Sequence, residues 1–64
     1  MALGKKLKQL RERAGLTQED LSRRAGLPYT YVARIERGEI ESPRIETRRK
    51  LAKVLRVSIT QLLD

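Results

Sequence analysis

Apolar residues recur along this chain at helical spacing, and nowhere with the alternation of a strand. Leu3, Leu7, Leu10 and Ala14 make one face of a first helix over roughly Leu3 to Arg13, with Lys5, Lys6, Lys8 and Arg13 on its other sides. Gly15 then suits a helix end. A second helix is announced by Thr17 as N-cap and Asp20 three residues on, a capping-box variant, with Leu16 and Leu21 at the spacing of a hydrophobic staple. It ends near Ala25, before Gly26. A third helix starts at Pro28, a residue suited to the first helical position, and stops at Gly38; Leu27, its expected N-cap, has no side-chain acceptor. Pro43 opens a fourth helix over about Arg44 to Leu55, with apolar positions Ile45, Leu51, Ala52 and Leu55. A short fifth follows Ser58, about Ile59 to Leu63, and Val57, Ile59, Leu62 and Leu63 are expected to close the core.

This pattern predicts an all-α, compact five-helix bundle, one domain over residues 1–64, without repeat or linker. At 64 residues the chain buries only about 60% of its unfolded surface, so each core position carries much of the stability.

Composition narrows the function. Fifteen Lys and Arg against eight acids give a net charge of +7, which suits a polyanionic partner, nucleic acid before anionic membrane. Without His or Cys the usual catalytic base, thiolate nucleophile and metal ligands are missing, and no convergent carboxylate pair stands out; no enzyme, metal, cofactor or small-molecule substrate is expected. No apolar run approaches the roughly 20 residues of a membrane span, and no signal-peptide pattern opens the chain. The expected location is the cytoplasm, with the nucleoid.

Two short helices joined by a glycine-containing turn make a helix-turn-helix unit, whose second helix enters the major groove of DNA. Along the third helix, at 100° per residue, Val32 and Ile35 define a buried stripe. Thr30 and Arg37 point almost opposite, flanked by Ala33 and Arg34, and Tyr29 and Tyr31 fall on opposite flanks. That outer face is narrow and basic at one end, a shape for a groove about 12 Å wide.

The stretch "LTQEDLSRRAGLPYTYVARIERG", Leu16 to Gly38, resembles the phage-repressor/Cro-type helix-turn-helix family. The resemblance continues through "SPRIET" and "KLAKVLRVSITQLL". It implies a lambda-repressor-like bundle with the helix-turn-helix formed by helices two and three, and sequence-specific binding of double-stranded DNA. It also implies roles for residues. Tyr29, Thr30 and Arg34 stand where family members touch bases: Arg34 suits guanine O6 and N7, and Thr30 a base edge or thymine methyl. Tyr29 suits thymine methyls or a phosphate. Tyr31 stands where a half-buried brace is usual, its hydroxyl reaching a neighbouring backbone or a phosphate. Gln18 is implied to bond a phosphate and buttress the recognition helix, and Thr17 to divide its hydroxyl between cap and phosphate. Arg37 and Lys6 are phosphate candidates by charge and face alone. Arg44 stands where phage repressors reach the minor groove, against the reading of a solvated loop residue. Glu36, about 70° off the buried stripe, is implied to pair with Arg11 and tie the first helix to the third.

The chain also departs from the family. Arg48 and Arg49 replace usual leucines, so that Arg48 weakens the core or snorkels out, and Arg48 to Lys50 make a basic run that can meet phosphates. Arg56 replaces a usual helix-ending glycine. A sequence redesigned for DNA binding would show the same exchange of packing for charge, so a designed origin stands beside a natural one. An antitoxin-like protein-interaction module on the same fold is the competing function. A cationic membrane-surface peptide fits less well, because the apolar stripes are narrow. Family members often bind as dimers on half-sites about 34 Å apart; with only a short C-terminal helix after the fourth, a monomer is expected in free solution, pairing at most on a symmetric site.

Overall fold

The computed structural model describes residues 3–63; the expected domain ends, Met1 and Asp64, lie outside them. Four α-helices and one short 3-10 turn follow one another: α1 Leu3–Arg13, α2 Gln18–Arg24, α3 Tyr31–Glu36, α4 Ile45–Leu55 and the 3-10 turn Ile59–Leu62. No strand occurs among the described residues. The fifth helix expected from the sequence is therefore not an α-helix. Its four residues close through i→i+3 bonds, Gln61 N–H to Ser58 O and Leu63 N–H to Thr60 O, and are too few for an α-ladder. Ser58 caps it, its Oγ accepting from Thr60 N–H.

One core joins all five elements. Leu7, Leu21, Val32, Ile35, Leu51 and Leu62 are essentially inaccessible to water. Leu16, Leu27, Tyr31, Ile40, Val54, Val57 and Ile59 pack against this centre from its margins. Three positions assigned to the core lie outside it. Ala14 is exposed because the chain is already leaving α1 there. Ile45, 47% exposed, opens α4 before that helix has crossed the core, and Pro43 is buried in its place. Leu63, 42% exposed, follows the 3-10 turn with extended backbone.

The same pair of bonds closes each α-helix. After α2, Gly26 N–H reaches Arg23 O and Leu27 N–H reaches Ser22 O, the Schellman arrangement, with Gly26 at φ 72°. Gly15 and Gly38 do the same for α1 and α3. After α4 the bonds run from Arg56 N–H to Lys53 O and from Val57 N–H to Ala52 O, and the left-handed residue is Arg56, φ 58° and ψ 43°. A side chain in that region costs about 1 kcal/mol that glycine avoids. Arg56→Gly is accordingly expected to raise the unfolding free energy by about 1 kcal/mol, read as a higher urea midpoint at unchanged slope.

The third helix begins later than Pro28. Tyr31 N–H bonds Pro28 O, an i→i+3 turn, and the first α-type bond is Arg34 N–H to Thr30 O. The reason is tertiary: Val32 N–H, which would otherwise seek Pro28 O, donates instead to the hydroxyl of Ser22 at 3.0 Å. Thr30, not Leu27, precedes the helix, and it gives no side-chain cap.

Arg48 neither spoils the core nor joins a free basic run. Half-buried, its guanidinium donates to Pro43 O at 3.0 Å, to Leu62 O at 3.3 Å and to Ser42 Oγ at 3.5 Å. It thereby ties the loop before α4 to the C-terminal turn, and only Arg49 and Lys50 of that run stand in solvent.

Candidate nucleic-acid interface

The candidate interface comprises α2, the turn at Gly26 and the segment from Pro28 to Glu36. At the start of α2 the capping box is complete: Asp20 N–H donates to Thr17 Oγ1 at 3.0 Å, and Thr17 N–H to Asp20 Oδ2 at 3.4 Å. Hydrogen bonding from Thr17, side chain first and then backbone, holds the Asp20 carboxyl below its ordinary range. The Thr17 hydroxyl is thus engaged with Asp20 within the cap, and an outside phosphate would have to share it.

Gln18, half-buried, is also engaged within the fold. Its Nε2 donates to Glu36 Oε1 at 2.9 Å. Glu36 is the hub of this end of α3. Arg11 Nε donates to Glu36 Oε2 at 2.7 Å and Arg11 Nη2 to Glu36 Oε1 at 3.1 Å, while Arg11 Nη1 donates to Leu16 O at 2.8 Å. The two side chains are only 11% and 5% exposed. The hydrogen bond to Glu36 outweighs the opposing effect of burial and holds the Arg11 pKa above its ordinary value. One carboxylate therefore connects α1, α2 and α3 in a bidentate, charge-assisted geometry.

Beside this buried network the same segment carries exposed residues. Tyr29 is 65% exposed and Arg34 lies in solvent, with Thr30 half-buried between them in sequence. Tyr29 and Thr30 belong to the tight turn before α3, so the 100° wheel that places Tyr29 on a flank and Thr30 on the outer face does not extend to them. Tyr31 is half-buried and packs on the core margin. Arg37 closes α3 and pairs with Glu39 at 2.7 Å, an exposed bond of little energy that a phosphate oxygen can replace. That pairing, foremost through its hydrogen bond, draws the Glu39 pKa down. Arg44 is exposed at the start of α4 with no cap bond from its side chain, and Lys6 is half-buried on α1.

Sequence reasoning missed two residues that hold this surface. Ser22, fully buried in α2, bonds both sides of the turn: its carbonyl accepts Leu27 N–H at 2.9 Å, and its hydroxyl accepts Val32 N–H. Gly4 lies against the end of α3, where a Cβ would meet Ile35 O at 2.5 Å and Glu36 Cα at 2.9 Å. A glycine inside a lysine-rich helix costs about 1 kcal/mol against alanine, and that cost is the signal available in the sequence. Ser22 carries none.

Two short helices held at a fixed angle by a capped turn, the second presenting polar residues outward, define the class: a helix-turn-helix domain. The chain belongs to the helix-turn-helix family, whose model matches residues 7–62. It is 36% identical over 62 residues to the HTH-type transcriptional regulator SinR of Bacillus subtilis (strain 168), across 97% of this chain and 56% of that protein. It is 34% identical over 64 residues to the HTH-type transcriptional regulator PuuR of Escherichia coli (strain K12), of which it covers 34%. The chain thus spans about half the length, or less, of these curated relatives. Among solved structures it resembles the crystal structure of SinR, the master regulator for biofilm formation, in complex with DNA. There the identity is 35% and the TM-score 0.90, over 97% of this chain and 98% of that one.

Proposed function

We propose that this chain is a sequence-specific double-stranded DNA-binding domain that serves transcription regulation, with the segment of about residues 28–37 in the major groove. The observation that carries the reading is the two-sided character of that segment. Val32 and Ile35 are buried to 0% and 1% exposure, while Tyr29 and Arg34 stand in solvent on a chain of net charge +7. The likeness to a regulator crystallised with DNA supports it.

In this reading Tyr29, Thr30 and Arg34 touch base edges. Thr17, Gln18, Arg37, Tyr31 and Lys6 hold backbone phosphates and set the register, and Arg44 reaches the minor groove or the adjoining backbone. Gln18 suits this because one Nε2 proton is fixed on Glu36, which leaves the amide oriented with its second proton outward. Arg11 and Glu36 act structurally. The domain binds as a monomer or as a pair on a symmetric site, without cofactor, in the cytoplasm at the nucleoid.

Selection of bound sequences from randomised duplexes, at two salt concentrations, tests the function. A consensus is expected, with affinity falling steeply as salt rises, by a log–log slope of about −0.9 per phosphate contact. A protein-interaction module would give neither. Within that consensus, Arg34→Ala is expected to cost about 1–3 kcal/mol and to relax the preference at one base pair. An equal loss on scrambled DNA would place Arg34 on a phosphate instead.

A further inference from the structure

The recognition segment is held at its two ends by different devices. Its C-terminal end is fixed by Glu36 in the bidentate grip of Arg11, and by the backbone contact with Gly4. At its N-terminal end the helix has no side-chain cap of its own, since Thr30 makes none. The bond that replaces it comes from another helix: Ser22 Oγ, on α2, accepts Val32 N–H at 3.0 Å in a site closed to water. The carbonyl of the same residue accepts Leu27 N–H and closes α2. Ser22 thus fixes both where α2 ends and where α3 begins.

We infer that Ser22 is a positioning residue for base reading: its hydroxyl sets the tilt of the recognition helix, and with it the reach of Tyr29 and Thr30. Without the hydroxyl, Val32 N–H is left buried and unpaired or turns back to Pro28 O. Either outcome moves the N-terminal end of the segment, because the C-terminal end stays anchored on Arg11 and Gly4. The helix then pivots, and the displacement is largest at Tyr29 and Thr30. Base-edge hydrogen bonds tolerate little displacement, about 0.5 Å. Phosphate attraction, which is long-ranged and sequence-independent, tolerates much more. Ser22 therefore bears on discrimination between sequences and leaves non-specific affinity nearly untouched.

The inference rests on base reading by α3, and the test separates the two. Affinities are measured for wild type, Ser22→Ala, Ser22→Cys and Ser58→Ala on a duplex selected from a randomised pool and on a scrambled duplex of the same composition, at a temperature where each variant is folded. Ser58→Ala removes the cap of the 3-10 turn, remote in sequence from the helix-turn-helix, and reports what loss of stability alone does. For Ser22→Ala the ratio of selected to scrambled affinity is expected to fall about five- to tenfold, the effect of one unmade hydrogen bond. Scrambled affinity and salt slope should stay within about twofold of wild type, and amide exchange at Val32 should quicken. Ser22→Cys, which fills the site with a slightly larger and weaker acceptor, should fall in the same direction and decides the matter if Ser22→Ala does not fold. Ser58→Ala should keep the wild-type ratio. A wild-type ratio in folded Ser22 variants, or an equal fall on both duplexes, overturns the inference. A wild type that prefers neither duplex overturns base reading itself.

Discussion

Glu36→Ala is expected to lower the unfolding free energy by about 3–5 kcal/mol, as much as truncating a fully buried leucine of the core. The magnitude follows from what is left behind. Arg11 keeps a charge that no nearby acid of the interior balances, with its side chain only 11% exposed, and Gln18 loses the acceptor of its amide. Total stability at this length is on the order of 3–10 kcal/mol, so the loss removes a large part of the folding free energy and, at the lower end of that range, all of it. Urea unfolding followed by far-ultraviolet circular dichroism measures the loss. The second arm of the cycle is sharper. Arg11→Met with Glu36→Leu removes both charges at once and is expected to recover most of the stability, because apolar residues can replace a buried pair nearly without cost. A Glu36→Ala loss below about 1 kcal/mol would mean that water reaches the pair and that the tie between α1 and α3 is weak.

Apolar spacing made most of the fold legible, and the places where it failed share one cause. Periodicity reports which side of a segment faces the core, so Leu7, Leu10, Val32, Ile35 and Leu51 are read correctly, as are the bounds of α1, Leu3 to Arg13. Local side-chain chemistry reports helix starts, so the Thr17 and Asp20 capping box is visible in four letters of sequence. Neither says which carbonyl a given N–H will choose. The late start of α3 is such a choice: Val32 N–H has a local acceptor in Pro28 O and a distant one in Ser22 Oγ, ten residues away, and only packing of α2 on α3 brings the second within reach. The 3-10 form of the last turn is another, decided over four residues where α and 3-10 patterns predict the same inward faces. Arg48 fails for a related reason. Hydropathy marks it as misplaced on an inward stripe, yet the stripe ends among backbone carbonyls of Pro43 and Leu62, which suit a guanidinium.

The outward face of the candidate interface was legible in parts for a different reason. The exposed positions of the third helix follow from the buried ones by subtraction, which is why Arg34 can be found from Val32 and Ile35 alone. Pairing across 25 residues is not a property of either segment, and the bond between Arg11 and Glu36 entered through family likeness rather than spacing. Ser22 was invisible because a serine within a helix usually faces solvent, and nothing nearby marks its hydroxyl as buried.

Gly4→Ala is expected to destabilise the domain by about 2 kcal/mol, although local propensity argues the other way. In an isolated helix the change would favour the folded form by about 1 kcal/mol. Here the new Cβ would lie 2.5 Å from Ile35 O and 2.9 Å from Glu36 Cα, distances that no rotamer relieves because Cβ has none and both neighbours are backbone. Something must move: either α1 lifts from α3, or the end of α3 shifts against its core contacts at Ile35. Overpacking of this kind costs about 1–3 kcal/mol and occasionally more, which exceeds the gain in propensity. Lifting α1 also lengthens the bonds from Arg11 to Glu36, about two turns further along the same face of α1, so the loss should couple to that pair. Thermal unfolding of Gly4→Ala beside Lys8→Ala, an exposed α1 position where nothing is displaced, separates contact from propensity. A Gly4→Ala variant as stable as wild type or more so would show that the two helices do not meet backbone to backbone. If they do meet, the loss in Gly4→Ala should shrink in the background of Arg11→Met and Glu36→Leu, where α1 is free to settle further from α3.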